Sequence, residues 1–367
     1  MDNTKQINRV SNYQMILLIT IYGLMTGFTY LPAINIPPAN QDIWIVYLLS
    51  IPYTILYCFP LLYLSNKFNN LNLFQYGKII MGKFFGMIVS IYYFSFLFIS
   101  LIIFVGVFIE ILDAALFPET PTLVTAGIIL ITCVLLSYQG FRNIARLGEV
   151  IIPIILVIIF LLIILGYRNY DIDELLPILG DSTFKEINLA AMNVGIRFLD
   201  VILLTMITPY LSKKEDLNKI FFRSLLYSTI LNTLIVVVIQ MGLGVEFAKH
   251  LAFPFYTFTR LINLGEIIQG FDSLYIISWI MGNALMISGY LYFATVALGE
   301  ITNRKNSYFI IPISIIVLIL VTLIKDNLPI LPLEEPTSTI ILVMSIFSVL
   351  VIPITMLIVY LLRKNKI

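Results

Sequence analysis

Residues 84–111 read FFGMIVSIYYFSFLFISLIIFVGVFIEI, and the only charge among them is Glu110, one place from the end. The run is continuous rather than alternating, and it exceeds the roughly 20 apolar residues that a helix needs to cross a bilayer core. Runs of the same kind recur along the chain. They predict spans at 13–34, 43–64, 84–111, 121–139, 147–167, 187–210, 219–244, 272–299, 308–325 and 338–362. The longest connections, 65–83, 168–186 and 245–271, leave no room for a soluble domain.

Composition points the same way. Hydrophobic residues make up 60% of the 367, charged residues 12%, and the mean hydropathy is +0.99. A soluble domain is nearer half apolar and a quarter charged. So few polar side chains cannot coat a water-facing surface, and the partner of most of this surface is the lipid bilayer. In hydrocarbon every backbone N–H and C=O needs an internal partner, which leaves helices or a closed barrel. A barrel would alternate apolar and polar residues, so helices are expected. The net charge of +1 gives no bulk attraction to nucleic acid. Cys58 and Cys133 lie in separate apolar runs and read as packing residues. Lys5 and Arg9 precede the first run without a small-residue cleavage site, so that segment is expected to stay.

Most of the 22 Lys and Arg residues fall in alternate connections. With the N-terminus inside, the outer connections hold only Arg168, Lys185, Lys249, Arg260 and Lys325. This bias predicts an even number of spans and both termini in the cytoplasm. Ten spans divide into five and five, 13–167 and 187–362. An odd number per half inverts the second half relative to the first. Inverted repeats with discontinuous helices are a recurring transporter plan, with the ligand near mid-membrane.

The first span of each half is the place to look. Span one contains IYGLMTGFTYLPAIN, with Gly23, Thr26 and Gly27 near its middle. The glycines serve either close packing against another helix or an unwound stretch whose N–H groups face a carboxylate. Span six reads NLAAMNVGIRFLDVILLTMITPYL and places Gly195, Arg197 and Asp200 near its centre. A charge at the bilayer centre costs about 3 kcal/mol on the insertion scale. Arg197 and Asp200, spaced i and i+3, either neutralise each other on one helix face or line a polar cavity or gate; Asp200 alone can carry a proton.

Other polar residues carry less. Glu149 reads as interfacial, Glu110 and Asp113 as snorkelling at the outer end of span three, and Gln240 as bonding a neighbouring helix. Tyr92 and Tyr93 are candidate cavity hydroxyls. His250 is the only histidine, so no metal is expected. The sequence has no phosphate-cradling loop, metal-ligand cluster or nucleophile–base pair in recognisable context, so neither an enzyme nor a cofactor is expected. The stretch 253–279, FPFYTFTRLINLGEIIQGFDSLYIISW, sets Phe255, Phe258, Leu261, Ile262 and Ile268 on one side and Arg260, Asn263, Glu266 and Gln269 on the other. It predicts a short amphipathic helix at the outer surface, either an anchor or a lid.

Three places give the chain a family resemblance. They are the glycine-containing span one with Leu31-Pro32 and then Asp42-Ile43-Trp44; FLDVILLTMITPYL at 198–211; and FPFYTFTRLINLGEIIQGFDSLY at 253–275. The chain resembles the B subunits of spore germinant receptors, the spore permease family of the amino acid–polyamine–organocation (APC) transporter superfamily. Leu199 stands where that family has glycine, Asp200 where it has glutamate, and Gln269-Gly270 where a charged pair is expected. The resemblance implies an all-α, APC/LeuT-like membrane protein of ten transmembrane helices in a five-plus-five inverted repeat, with discontinuous helices one and six. It also implies a place in the spore inner membrane, A- and C-subunit partners and a small nutrient ligand such as an amino acid. On that basis the expected ligand-binding residues are Gly23, Thr26, Gly27, Tyr92, Val194 and Gly195. Arg197 and Asp200 are expected to gate or to couple protons. An amino acid/proton transporter is the alternative, and a scaffold without its own ligand is a third class.

Overall fold

The computed structural model describes residues 9–30, 38, 40–211, 216–263, 270–325 and 337–363. Among them, eight helical stretches are long and apolar enough to cross a membrane. They are Ile43–Lys67, Leu73–Ala115, Phe141–Asn169, Phe184–Tyr210, Leu217–Leu243, Asp272–Thr302, Asn306–Ile324 and Ser338–Arg363. Asn12–Tyr30 and the shorter Thr122–Tyr138 stand at the two remaining expected positions. These ten stretches are referred to below as spans one to ten in chain order. Leu31-Pro32, Lys213 and Lys214, residues 264–269 with Glu266 and Gln269, and the extreme termini lie outside the described residues.

The helices sort into two groups by their packing. Spans one, two, six and seven pack on one another, and spans three, four, eight and nine do the same. Span five lies against spans eight and one, and span ten against spans three and two. Buried side chains run through both groups as one core, with Trp279, Tyr22, Tyr93 and Phe28 among the largest fully buried. Cys58 and Cys133 are free and buried in it. The residues facing away from the core are also aliphatic, Ile128, Leu135, Val157 and Ile164 among them. Apolar inside and outside is the pattern of a helix whose solvent is lipid.

Two connections depart from expectation. The stretch 65–83 is not simply a loop, because Leu73–Met81 is already helical. Asn72 caps that helix in a reciprocal box with Gln75. The helix turns sharply at Gly82, whose φ of 81° is a left-handed value that glycine adopts without steric cost. Glu300, at the end of span eight, holds it: its carboxylate accepts from Asn72 at 3.0 Å and Gln75 at 2.7 Å, and its carbonyl accepts from Lys78 at 2.5 Å. Near the other face, Pro254–Arg260 is the expected short helix, but it is wedged inward rather than laid on the surface. Pro254, Phe255, Tyr256, Phe258 and Thr259 are all buried. Phe255 packs against Phe28 with ring centroids 5.3 Å apart, and Phe258 stacks on Tyr170 at 5.9 Å. The Tyr170 hydroxyl donates to the Ile163 carbonyl at 2.6 Å, and burial raises its phenol above the ordinary value.

Candidate functional site

Span six is interrupted. Its first half, Phe184–Ile196, starts on a Thr183/Glu186 capping box, and its second half, Asp200–Ile207, begins after Arg197–Leu199. Arg197 therefore stands at the C-terminal end of one half and Asp200 in the first turn of the other. Each charge meets the helix end whose partial charge opposes it. That placement offsets part of the cost of carrying two charges in mid-span. It also corrects the expectation that they pair along one helix face, since no continuous helix joins them. Arg197 Nε donates to Asn193 Oδ1 at 3.0 Å, and the Tyr290 hydroxyl of span eight donates to Asp200 Oδ1 at 3.2 Å.

Two small cavities flank the interruption. One, about 70 Å³, lies inside the group formed by spans one, two, six and seven. Gly23, Thr26, Gly27, Val194, Arg197 and Asp200 line it, so six of the eight sequence-predicted residues meet there. The second, about 60 Å³, lies where the two groups of helices face each other, and Thr26, Arg197 and Asp200 line it too. Its remaining wall includes Ser100 and Phe104 of span three, Tyr290 of span eight and Ile341 of span ten. Leu199 is part of that wall.

The other two predicted residues lie elsewhere. Gly195 is used for close approach: an added Cβ would stand 3.1 Å from the Ser50 carbonyl of span two. Its own carbonyl accepts from Thr54 Oγ1 at 3.1 Å, and the Val194 carbonyl accepts from the Arg197 N–H at 3.1 Å, so both oxygens already have donors. Tyr92 faces span ten, where residues 346–351 form a π-turn. The Tyr92 hydroxyl donates to the Met344 carbonyl at 3.0 Å, and Tyr93 donates to the Ser348 carbonyl at 2.8 Å. The two tyrosines supply donors to the widened turn, where the regular helical hydrogen bonding is interrupted.

Span one is helical without interruption from Asn12 to Tyr30, so the unwinding expected at Gly23–Gly27 is not found there. The reason is packing against span seven. Asn232 Nδ2 donates to the Gly23 carbonyl at 3.0 Å, and a Cβ on Gly27 would overlap the Asn232 amide oxygen and sit 2.8 Å from its Cγ. Asn232 is buried, and its Oδ1 has no hydrogen-bond partner among the described residues. Asn232, Ser228, Thr229, Tyr47, Ser50 and Thr54 also line the first cavity and were not singled out in the sequence. Only the recurrence of small polar residues on the inward side of spans two and seven could have signalled them.

Three further sequence features acquire partners. Asp42 is fully buried at the start of span two; its carboxylate accepts from the Leu179 N–H at 2.9 Å and the Ser182 hydroxyl at 2.6 Å. It thereby pins the segment that leads into the first half of span six. Gln240 of span seven donates to the Asn40 and Gln41 carbonyls at 3.3 and 3.0 Å, a turn rather than the neighbouring helix expected. Glu149 accepts from Gln14 at 2.7 Å in an exposed position.

Two helix groups meeting around an interrupted central span are a fold plan that recurs among membrane transporters. Solved structures agree. A Na+-coupled sialic acid symporter in its substrate-bound outward-open state matches 93% of this chain and 79% of its own, with TM-score 0.61 and 12% identity. MhsT in complex with L-phenylalanine matches 98% and 90%, with TM-score 0.66 and 12% identity. The fold is thus an all-α, LeuT-like one. The chain belongs to the spore germination protein family, whose pattern it matches over residues 9–329. Among its relatives are spore germination protein YndE of Bacillus subtilis (24% identity over 81% of this chain and 82% of the relative) and spore germination protein KB of the same organism (23%, 87% and 86%). GerQB of Bacillus cereus is 23% identical over 87% of each chain.

Proposed function

We propose that this chain is the membrane-embedded subunit of a spore germinant receptor, and that a small nutrient, an amino acid by chemistry, binds at the interruption of span six. The observation that carries the reading is the meeting of Arg197, Asp200 and Thr26 on a wall shared by two cavities. A zwitterion presents one carboxylate and one ammonium, and a guanidinium and a carboxylate one helix break apart suit both. Gly23, Gly27 and Val194 shape the pocket, while Gly195 and Tyr92 support it from outside. Binding signals only if it favours one arrangement of the two span-six halves over another. The halves 13–167 and 187–362 are the inverted repeats on this reading. Both termini lie in the cytoplasm, the membrane is the spore inner membrane, and A and C subunits read the change.

The test is germination of spores carrying Arg197→Gln or Asp200→Asn on a panel of amino acids, followed by loss of optical density. The expected result is a response lost or displaced to at least roughly tenfold higher nutrient, the worth of one charge-assisted hydrogen bond. A normal dose response at wild-type protein level would refute the site. A proton-coupled amino acid transporter is the second reading, favoured by Asp200 itself. Saturable, pH-gradient-driven uptake into proteoliposomes holding this chain alone would select it.

A further inference from the structure

The cavity of about 70 Å³ inside spans one, two, six and seven is walled mostly by small polar side chains. What those groups still offer is decided by where their hydrogens already go. Ser50 Oγ donates to the Tyr47 carbonyl at 2.6 Å, Thr54 Oγ1 to the Ser50 carbonyl at 2.9 Å, and Ser228 Oγ to the Leu225 carbonyl at 3.1 Å. All three side chains are more than nine-tenths buried. A hydroxyl has one hydrogen and two lone pairs, so each of these is left as an acceptor.

Thr26 and Thr229 line the same cavity, and their hydroxyls make no hydrogen bond among the described residues. Thr229 is only 6% exposed, and a buried hydroxyl without a partner is costly. Asn232 Oδ1 is a different case, lodged against Gly27 and closed off from the cavity. Asp200 adds carboxylate oxygens to the wall. The first half of span six ends here, with Val194 and Arg197 in the lining, and the C-terminal end of a helix carries a negative partial charge. Against these acceptors stands one strong donor, the Arg197 guanidinium, on the wall shared with the second cavity.

We propose that this cavity seats the ammonium of the nutrient, with the Thr229 and Thr26 hydroxyls as its partners, and that the rest of the molecule passes Arg197 toward the second cavity. The proposal deepens the nutrient reading above and rests on it. An ammonium brings three donors and no acceptor, the complement of this wall. A carboxylate in the same place would face the lone pairs of Ser50, Thr54 and Ser228, whose hydrogens would first have to leave their carbonyls. Size agrees. A water-sized group needs about 10–15 Å³ of such a space, so the cavity takes an ammonium and its α-carbon with room left, but not a long side chain as well.

The experiment uses spores expressing the full chain. The probes are the standard amino acids and, for each that triggers germination, the matching 2-hydroxy acid, which lacks the ammonium. The wild type is expected to respond to the amino acid and not to the hydroxy acid. Thr229→Val keeps the shape and removes the hydroxyl. It should raise the amino acid needed by roughly tenfold, the worth of one hydrogen bond to a charged group, and Thr229→Ser should restore the response. The Thr229 hydroxyl holds no other group, so the melting temperature of Thr229→Val should match the wild type, which separates lost binding from lost folding. A wild-type dose response in Thr229→Val, or a hydroxy acid as potent as its amino acid, would overturn the seat. If Arg197→Gln loses the response while Thr229→Val keeps it, the seat falls and the nutrient reading stands. A wild type that answers no amino acid takes both down. Free K+ or Na+ would suit the same oxygens, so the assays are repeated in choline salts. A Thr229→Val defect that follows the alkali ion rather than the amino acid would also overturn the proposal.

Discussion

Spans one and six occupy comparable places at the centre of the molecule, and both carry glycine in mid-span, yet only one of them is interrupted among the described residues. Span one keeps its helix through Gly23 and Gly27, where Asn232 and Ser228 of span seven and Phe198 of the span-six break fill the space that side chains would have taken. Span six keeps its helix through Gly195 for the same reason, with span two as the neighbour, and breaks immediately afterwards at Arg197–Leu199. The break contains no glycine. Missing side chains permit helices to approach; charges placed at the new helix ends favour ending them. Glycine content and helix interruption are therefore separate signals, although they lie within a few residues of each other.

The strongest way to break this comparison is at Gly27. Gly27→Leu should destabilise the protein by about 3 kcal/mol or more through overpacking against Asn232, read as a lowered melting temperature in detergent. Gly27→Ala combined with Asn232→Ala should recover most of the loss of Gly27→Ala alone, a coupling of about 1–3 kcal/mol in a double-mutant cycle. If the two changes add independently, span seven is not what keeps span one straight.

Exchanging the charges at the break comes next. Arg197→Glu with Asp200→Arg keeps net charge but opposes both helix ends, and should cost about 1–2 kcal/mol, measured by the same melting experiment. An unchanged melting temperature would mean that the dipole ends contribute nothing and that the interruption is fixed by packing alone. Gly195→Ala is milder. The nearest atoms would be the Ser50 carbonyl and Tyr53 Cβ, both at 3.1 Å, so a small shift suffices and about 1 kcal/mol is expected. The smallest effect is at Tyr92. Tyr92→Phe removes the hydrogen bond to the Met344 carbonyl, just before the π-turn of span ten, worth about 1 kcal/mol, and should leave the nutrient dose response where it was. A displaced dose response would put Tyr92 back into the site.

Much of the architecture could be read from single runs of residues. Where an uninterrupted apolar run meets lipid, backbone hydrogen bonding admits few alternatives, and the ends of runs such as 43–64 and 272–299 lie within a few residues of helix ends in the structure. The site was legible where an expensive residue announced itself. Arg197 and Asp200 are conspicuous because charge in mid-membrane is rare, and both line the central cavities. Ser228 and Thr54 were silent, because small polar residues inside a membrane helix can satisfy themselves on their own backbone. Ser228 does this with the Leu225 carbonyl at 3.1 Å.

The sequence by itself determined that the chain is helical and membrane-embedded, and it located the charged centre of span six. Those properties follow from solvation energies of individual segments, which need no knowledge of neighbours. Tertiary structure alone decided that the glycines of span one pack rather than unwind, that Tyr92 serves span ten, and that Asp42 pins the entry to span six. Each of these depends on which side chain arrives from a distant part of the chain, and contact across a bundle is fixed by how whole helices pack, not by the local pattern of any one of them.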